Sequence, residues 1–168
     1  TGFAVLEAPN QSSACVTLRM NKRGMATLYI GSHDIGQGSD TVMTAIVAEE
    51  LGLPMDMVKT FMSDTFLTPW DSGSYGSRVT FLAGNAARRA AVDAKRQLFE
   101  VIAPMWGVMP ETLECLDGKV ISKEKAEYQM SIGDAMFKYM TVKGGDDPIR
   151  AGQIALARRF QHGCLWSA

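Results

Sequence analysis

The chain has 168 residues, 46% of them hydrophobic, and its 17 basic and 18 acidic side chains leave a formal charge of −1. That balance offers no electrostatic footing for nucleic acid or an anionic membrane surface, and no apolar run reaches the roughly 20 residues of a membrane helix. No basic N-terminus leads into an apolar segment, so no secretion signal is visible.

Length and hydrophobic content suit one domain with its own core. Cys15, Cys115 and Cys164 are far apart and odd in number. They read as reduced thiols of a cytoplasmic protein, not as a disulfide framework or a metal or iron–sulfur knuckle.

Val16, Leu18 and Met20 alternate with polar residues, as do Ala26, Leu28 and Ile30. Asn21-Lys-Arg-Gly24 lies between them, which predicts a hairpin closed by a glycine turn. Ser39 or Asp40 is the expected cap of a helix to about Leu51, with Met43, Ile46, Val47 and Leu51 as its buried stripe. Val58, Thr60 and Met62 predict a third strand. A long helix follows from about Val79, where Ala87, Ala90, Ala91, Ala94, Leu98, Val101 and Ile102 recur at three- and four-residue steps. Pro104 and Gly107 are expected to end it. Pro110 suits a short helical turn, and Asp117-Gly118 marks a second hairpin. Ser131-Ile-Gly-Asp134 reads as the cap of a helix to about Met140. Beyond Lys143, Gly144 to Pro148 reads as a flexible break, and Ile149 to Phe160 as a basic helix. Strands and helices mix without a regular strand–helix–strand repeat. The expected class is therefore α+β, a mixed or antiparallel sheet with packed helices.

Two glycine-studded patches stand out. The first is Gly31-Ser-His-Asp-Ile-Gly36-Gln37-Gly38-Ser39-Asp40-Thr41, and the second runs from Asp71-Ser-Gly-Ser74-Tyr75-Gly76-Ser77-Arg78 to Asn85-Ala86. Each enters a helix, where bared backbone N–H groups suit an anion. Two such turns suggest one elongated, multiply charged ligand held at both ends. The dinucleotide fingerprint fails because Thr41 stands where a third glycine is needed. The phosphate-loop motif fails because Gln37 stands where lysine is needed. Gln37 offers a neutral amide between glycines; Ser39, Thr41, Ser74 and Ser77 offer hydroxyls; Arg78 offers a fork suited to phosphate. His33 and His162 have no metal-ligand spacing. Asp34, Asp64 and Asp71 are expected to cap turns rather than act as a carboxylate cluster.

At these patches the chain resembles the large-subunit family of the molybdenum hydroxylases. The matching text is Asp34-Ile-Gly-Gln-Gly-Ser-Asp-Thr41, Ala48-Glu-Glu-Leu-Gly-Leu53, Asp64-Thr-Phe-Leu-Thr-Pro69, Gly73-Ser-Tyr-Gly-Ser-Arg-Val-Thr-Phe81 and Gly84-Asn-Ala86. The glycine-serine-tyrosine run is most similar to the 4-hydroxybenzoyl-CoA reductase branch. The resemblance implies a molybdopterin-binding segment over residues 1–143, with 144–168 as a tail. It implies a molybdopterin, in its cytosine dinucleotide form, carrying molybdenum without a protein metal ligand. Gln37 matches the glutamine whose amide lies beside the metal's oxo group. Gly36, Gly38, Ser39, Asp40 and Thr41 match the stretch that meets the pterin and its phosphates. Ser74, Tyr75, Gly76, Ser77 and Arg78 match a second cofactor loop. Implied partners are the remaining portion of the large subunit and iron–sulfur and flavin (FAD) subunits or domains. Nothing in the chain matches the family's catalytic glutamate, so the segment alone is expected to be inactive. The rival readings are a non-catalytic module for a nucleotide-like anion and a structural segment with empty loops.

Overall fold

The structure, a computed structural model, describes residues 13–125, 127–143 and 149–156. The expected hairpin is strands β1 (Ser13–Met20) and β2 (Ala26–Ile30), antiparallel from Val16 opposite Ile30 to Met20 opposite Ala26. Asn21 Oδ1 accepts the N–H groups of Arg23 and Met25 and closes the turn. Helix α1 (Ser39–Leu51) then crosses to β3 (Val58–Met62), which runs parallel to β2. A wide π-type turn at Val79–Ala83 feeds α2 (Gly84–Trp106).

A small antiparallel sheet follows, built of β4 (Leu113–Leu116), β5 (Lys119–Ser122) and β6 (Gln129–Ser131). Helix α3 (Ile132–Lys143) begins where the Asp134 N–H donates to Ser131 Oγ at 3.0 Å. The last strand, β7 (Ile149–Leu156), completes a main sheet ordered β3-β2-β1-β7. The fold is thus α+β.

Alternate residues of β1 and β2 face the helices. Val16, Leu18, Met20, Leu28 and Ile30 are buried there against Met43, Val47 and Leu51 of α1. Ala87, Ala90, Ala91 and Ala94 form a small-residue face that lets α2 press close to the sheet and α1. Each buried leucine or isoleucine contributes about 1.5–3 kcal/mol of apolar transfer. The patches therefore leave a well-buried base.

Three local expectations are corrected. Ile149 to Leu156 is a strand, not the start of a basic helix, because pairing with β1 satisfies its backbone and buries Ile149 and Ala151. Residues 144–148, the expected break, and 157–168 lie outside the described residues. Gly107 ends α2 as expected, with φ 62°, but Pro104 sits inside its final turn instead of stopping it. The N-cap of α1 is Gly38, with no capping side chain, rather than Ser39 or Asp40. No helix among the described residues is long and apolar enough to cross a membrane.

Candidate functional site

Strands β2 and β3 are parallel and end together, Ile30 opposite Met62. The segments that leave them, residues 31–38 and 63–78, therefore start from the same end of the sheet. They cross at Gly31. An ideal Cβ there would stand 2.2 Å from Pro69 O and 2.7 Å from Asp71 Cβ. Only glycine lets the two backbones lie so close. One step further, Ser74 brackets His33: its Oγ accepts the His33 N–H at 3.1 Å and donates to the His33 carbonyl.

The first loop satisfies most of its own polar groups. Gly36 and Gly38 have φ of 103° and 71°, with open space where a side chain would stand. Asp34 reaches back into the loop, its Oδ1 accepting the Gly36 N–H at 2.7 Å and its Oδ2 the Asp40 N–H at 3.4 Å. These backbone donors, Gly36 foremost, hold the Asp34 carboxyl below the usual aspartate value. The N–H groups expected to meet a ligand thus hold an internal carboxylate at the start of α1. Gln37 is knitted in too. Its Oε1 accepts the Ile35 N–H at 2.6 Å, while its Nε2 donates to His33 O at 3.2 Å and to Ser39 Oγ at 3.1 Å. Asp40 and Thr41 are exposed in the first turn of α1, and Ser39 is buried.

The second loop wraps around a buried charge. Arg78 is 6% exposed and the Asp71 side chain is fully buried. Arg78 Nη1 donates to Asp71 Oδ1 at 2.6 Å and to the Gly73 carbonyl, and Nη2 donates to the Ser13 carbonyl. The Tyr75 ring lies 5.4 Å from the guanidinium carbon. Gly76 and Ser77 form the exposed tip, both in the left-handed region.

The structure therefore brings both patches to one place, joined at Gly31 and His33. Asp64 caps a turn, as expected, through the N–H groups of Phe66 and Leu67. Sequence reasoning missed Gly31 as a crossing point and Asp71 as an ion-pair partner. The spacing Asp71 to Arg78 across a glycine-serine loop was the available signal. Exposed Ile35, Phe66, Leu67 and Trp70 surround the loops with apolar surface. Among the described residues no cluster of three or more His, Cys, Asp or Glu is placed to hold a metal ion.

The family model for the molybdopterin cofactor-binding domain matches residues 1–160. The xanthine dehydrogenase molybdenum-binding subunit of Escherichia coli is 32% identical over 140 residues, 82% of this chain and 18% of that protein. The gamma subunit of the 6-hydroxypseudooxynicotine dehydrogenase complex of Paenarthrobacter nicotinovorans is 34% identical over 141 residues, 84% of this chain and 15% of that subunit. Among solved structures, CO dehydrogenase from Oligotropha carboxidovorans superposes with a TM-score of 0.76 at 25% identity, over 84% of this chain and 18% of that one. Quinoline 2-oxidoreductase from Pseudomonas putida shares the fold, with a TM-score of 0.78 at 21% identity over 86% of this chain and 19% of that one. The chain spans less than a fifth of these relatives' length. The chain matches the corresponding segments of the xanthine dehydrogenase molybdenum-binding subunit and of CO dehydrogenase, and it belongs to the molybdopterin cofactor-binding domain family.

Proposed function

We propose that the two loops form one cradle for a molybdopterin in its cytosine dinucleotide form, within an enzyme of the 4-hydroxybenzoyl-CoA reductase type. The observation that carries this reading is the Ser74 clasp on His33, which holds both patches side by side. The residues fit such a group. Gly36 and Gly38 leave open space for close approach, and Gly76 and Ser77 are exposed at the facing loop. The hydroxyls and backbone amides of the two loops, those of the first closed on Asp34 in this structure, are of the kind suited to pterin edges and phosphate oxygens.

When bound, the cofactor supplies oxygen and electron transfer at an sp2 carbon of the substrate. This chain's residues orient it. Gly36, Gly38, Ser39, Asp40 and Thr41 line one lip; Ser74, Tyr75, Gly76 and Ser77 line the other, with Arg78 beneath. Gln37 would offer its amide to the cofactor's metal end, held in place by its bonds to the His33 carbonyl and the Ser39 hydroxyl. The remaining large-subunit portion covers the apolar rim of Ile35, Phe66, Leu67 and Trp70 and brings the substrate pocket. Electrons pass through iron–sulfur and flavin partners, and the assembly works in the cytoplasm. The isolated 168-residue chain turns over no aromatic thioester or purine.

Acid extraction of the natively assembled protein tests the reading. Released pterin together with CMP is the expected result. An ordinary nucleotide would make the chain a non-catalytic anion module, and no ligand at all would make it a structural segment. In the full enzyme, Gln37→Ala lowers turnover by about 10²-fold, as loss of one oriented donor does elsewhere, while pterin content stays near wild type. Unchanged turnover would remove Gln37 from the mechanism.

A further inference from the structure

We infer that Asp71 and Arg78 are a positioning pair: their buried ion pair sets where the second loop stands against the first, and Arg78 acts from beneath the cradle instead of holding a phosphate within it. The guanidinium is the hub of the loop. It ties together Asp71 at the loop's start, the Gly73 carbonyl in its middle and the Ser13 carbonyl on β1. Asp71 Oδ1 takes a second donor, the Gly73 N–H, at 2.8 Å. Residues 71–73 are thereby folded onto one carboxylate oxygen and one cation. The Arg78 N–H closes on Tyr75 O at 3.2 Å, and the Tyr75 ring faces the guanidinium, so residues 75–78 wrap the same charge.

The hub is fixed to the sheet. Asp71 bridges Ala14 of β1, and Ser72 Oγ donates to Ser13 O at 3.3 Å. A fork with several donors can hold three acceptors in one plane; a lysine ammonium cannot reproduce that pattern. Both charges are out of water, so neither is displaced by solvent or easily redirected to an incoming anion.

The consequence runs to the other loop. Residue 74 follows the pinned segment, and its hydroxyl brackets His33. The His33 carbonyl also accepts Gln37 Nε2 at 3.2 Å. One carbonyl thus joins Ser74 of the second loop to Gln37 of the first. The pair positions Gln37 through Ser74 and His33 without touching it. An effect of the pair on cofactor retention, through the place of the second loop, rests on the molybdopterin reading; the clasp itself rests on the geometry alone.

Hydrogen exchange on the full chain, with Arg78→Lys, Arg78→Met and Asp71→Asn beside the wild type, tests the pair. In all three variants the His33 and Gly73 amides exchange at least about tenfold faster, while the Leu18 and Leu28 amides of the β1–β2 ladder keep their protection in Arg78→Lys. Arg78→Lys is the deciding variant, because it retains the charge and loses only the fork. Wild-type exchange at His33 and Gly73 in Arg78→Lys overturns the proposal, as does acceleration spread evenly over the ladder. Pterin content of natively assembled protein is measured in parallel. Loss of pterin with local acceleration supports the full chain of effects. Local acceleration in a protein whose wild type yields no pterin keeps the clasp and discards the cofactor reading. Loss of pterin with unchanged exchange makes Arg78 a direct ligand and overturns the pair.

Discussion

The two loops at the end of β2 and β3 are shaped by opposite means. The first, residues 31–38, is mostly exposed and, apart from the Ser74 clasp on His33, built from short-range bonds: Asp34 and Gln37 fold back on their own neighbours within six residues. The second, residues 71–78, is organised around a buried cation that reaches Ser13, 65 residues away in sequence. The exposed loop can rearrange at small cost, since water competes for each of its bonds. The pinned loop cannot, because moving it strands a buried charge. A cradle made of one adaptable lip and one fixed lip suits a ligand that must be inserted and then held in register.

The sharpest way to break this contrast is to remove the cation. Arg78→Met leaves Asp71 charged and buried, and unfolding stability falls by about 3–5 kcal/mol. Chemical denaturation measures it. A loss below about 1 kcal/mol, the value of an exposed pair, would erase the distinction between the lips. Next in size is Gly31→Ala. Its methyl group must displace the Pro69 carbonyl and the Asp71 backbone, at a cost of about 1–3 kcal/mol. The same denaturation experiment reads it, and a neutral substitution would show that the loops are not locked where they cross.

Much of this was legible in the sequence and some was not. The hairpin at Gly24, the α2 alanine face and the β5-side turn at Asp117-Gly118 are local patterns, and the structure keeps them. The two patches were legible as glycine-rich loops for the same reason: glycine spacing is local. Asp71 looked like any turn aspartate, and it does cap Gly73. Its burial against Arg78 depends on β1 lying beneath, which no short window contains. Strand β7 was misread likewise, because its pairing partner is 129 or more residues away in sequence. The cap of α1 was misplaced by one or two residues, since Asp34 does from within the loop what Ser39 or Asp40 was expected to do.

Smaller effects probe each lip alone. The Asp34 carboxyl is held low by backbone donors, so its contribution to the first loop is present above the usual aspartate range and is lost as pH falls through its lowered value. In an NMR titration the Gly36 and Asp40 amide resonances move together, with a midpoint below about 3.9, the unperturbed aspartate value. A midpoint at or above that value would detach Asp34 from the loop. The second lip has its own reporter. The Cys15 thiol is pushed up, first by burial and then by the Asp71 charge. Asp71→Asn removes that charge, so Cys15 deprotonates more readily and is alkylated a few-fold faster near pH 8. Unchanged alkylation would mean that the Asp71 side chain does not act on Cys15.

The central claim is that both loops hold one ligand. Hydrogen exchange of the natively assembled protein, compared with and without its extractable cofactor, tests it most directly. The amides of residues 36–41 and 74–78 should gain protection together when the cofactor is present. Protection of one loop alone, with the other exchanging as in the stripped protein, would contradict the account.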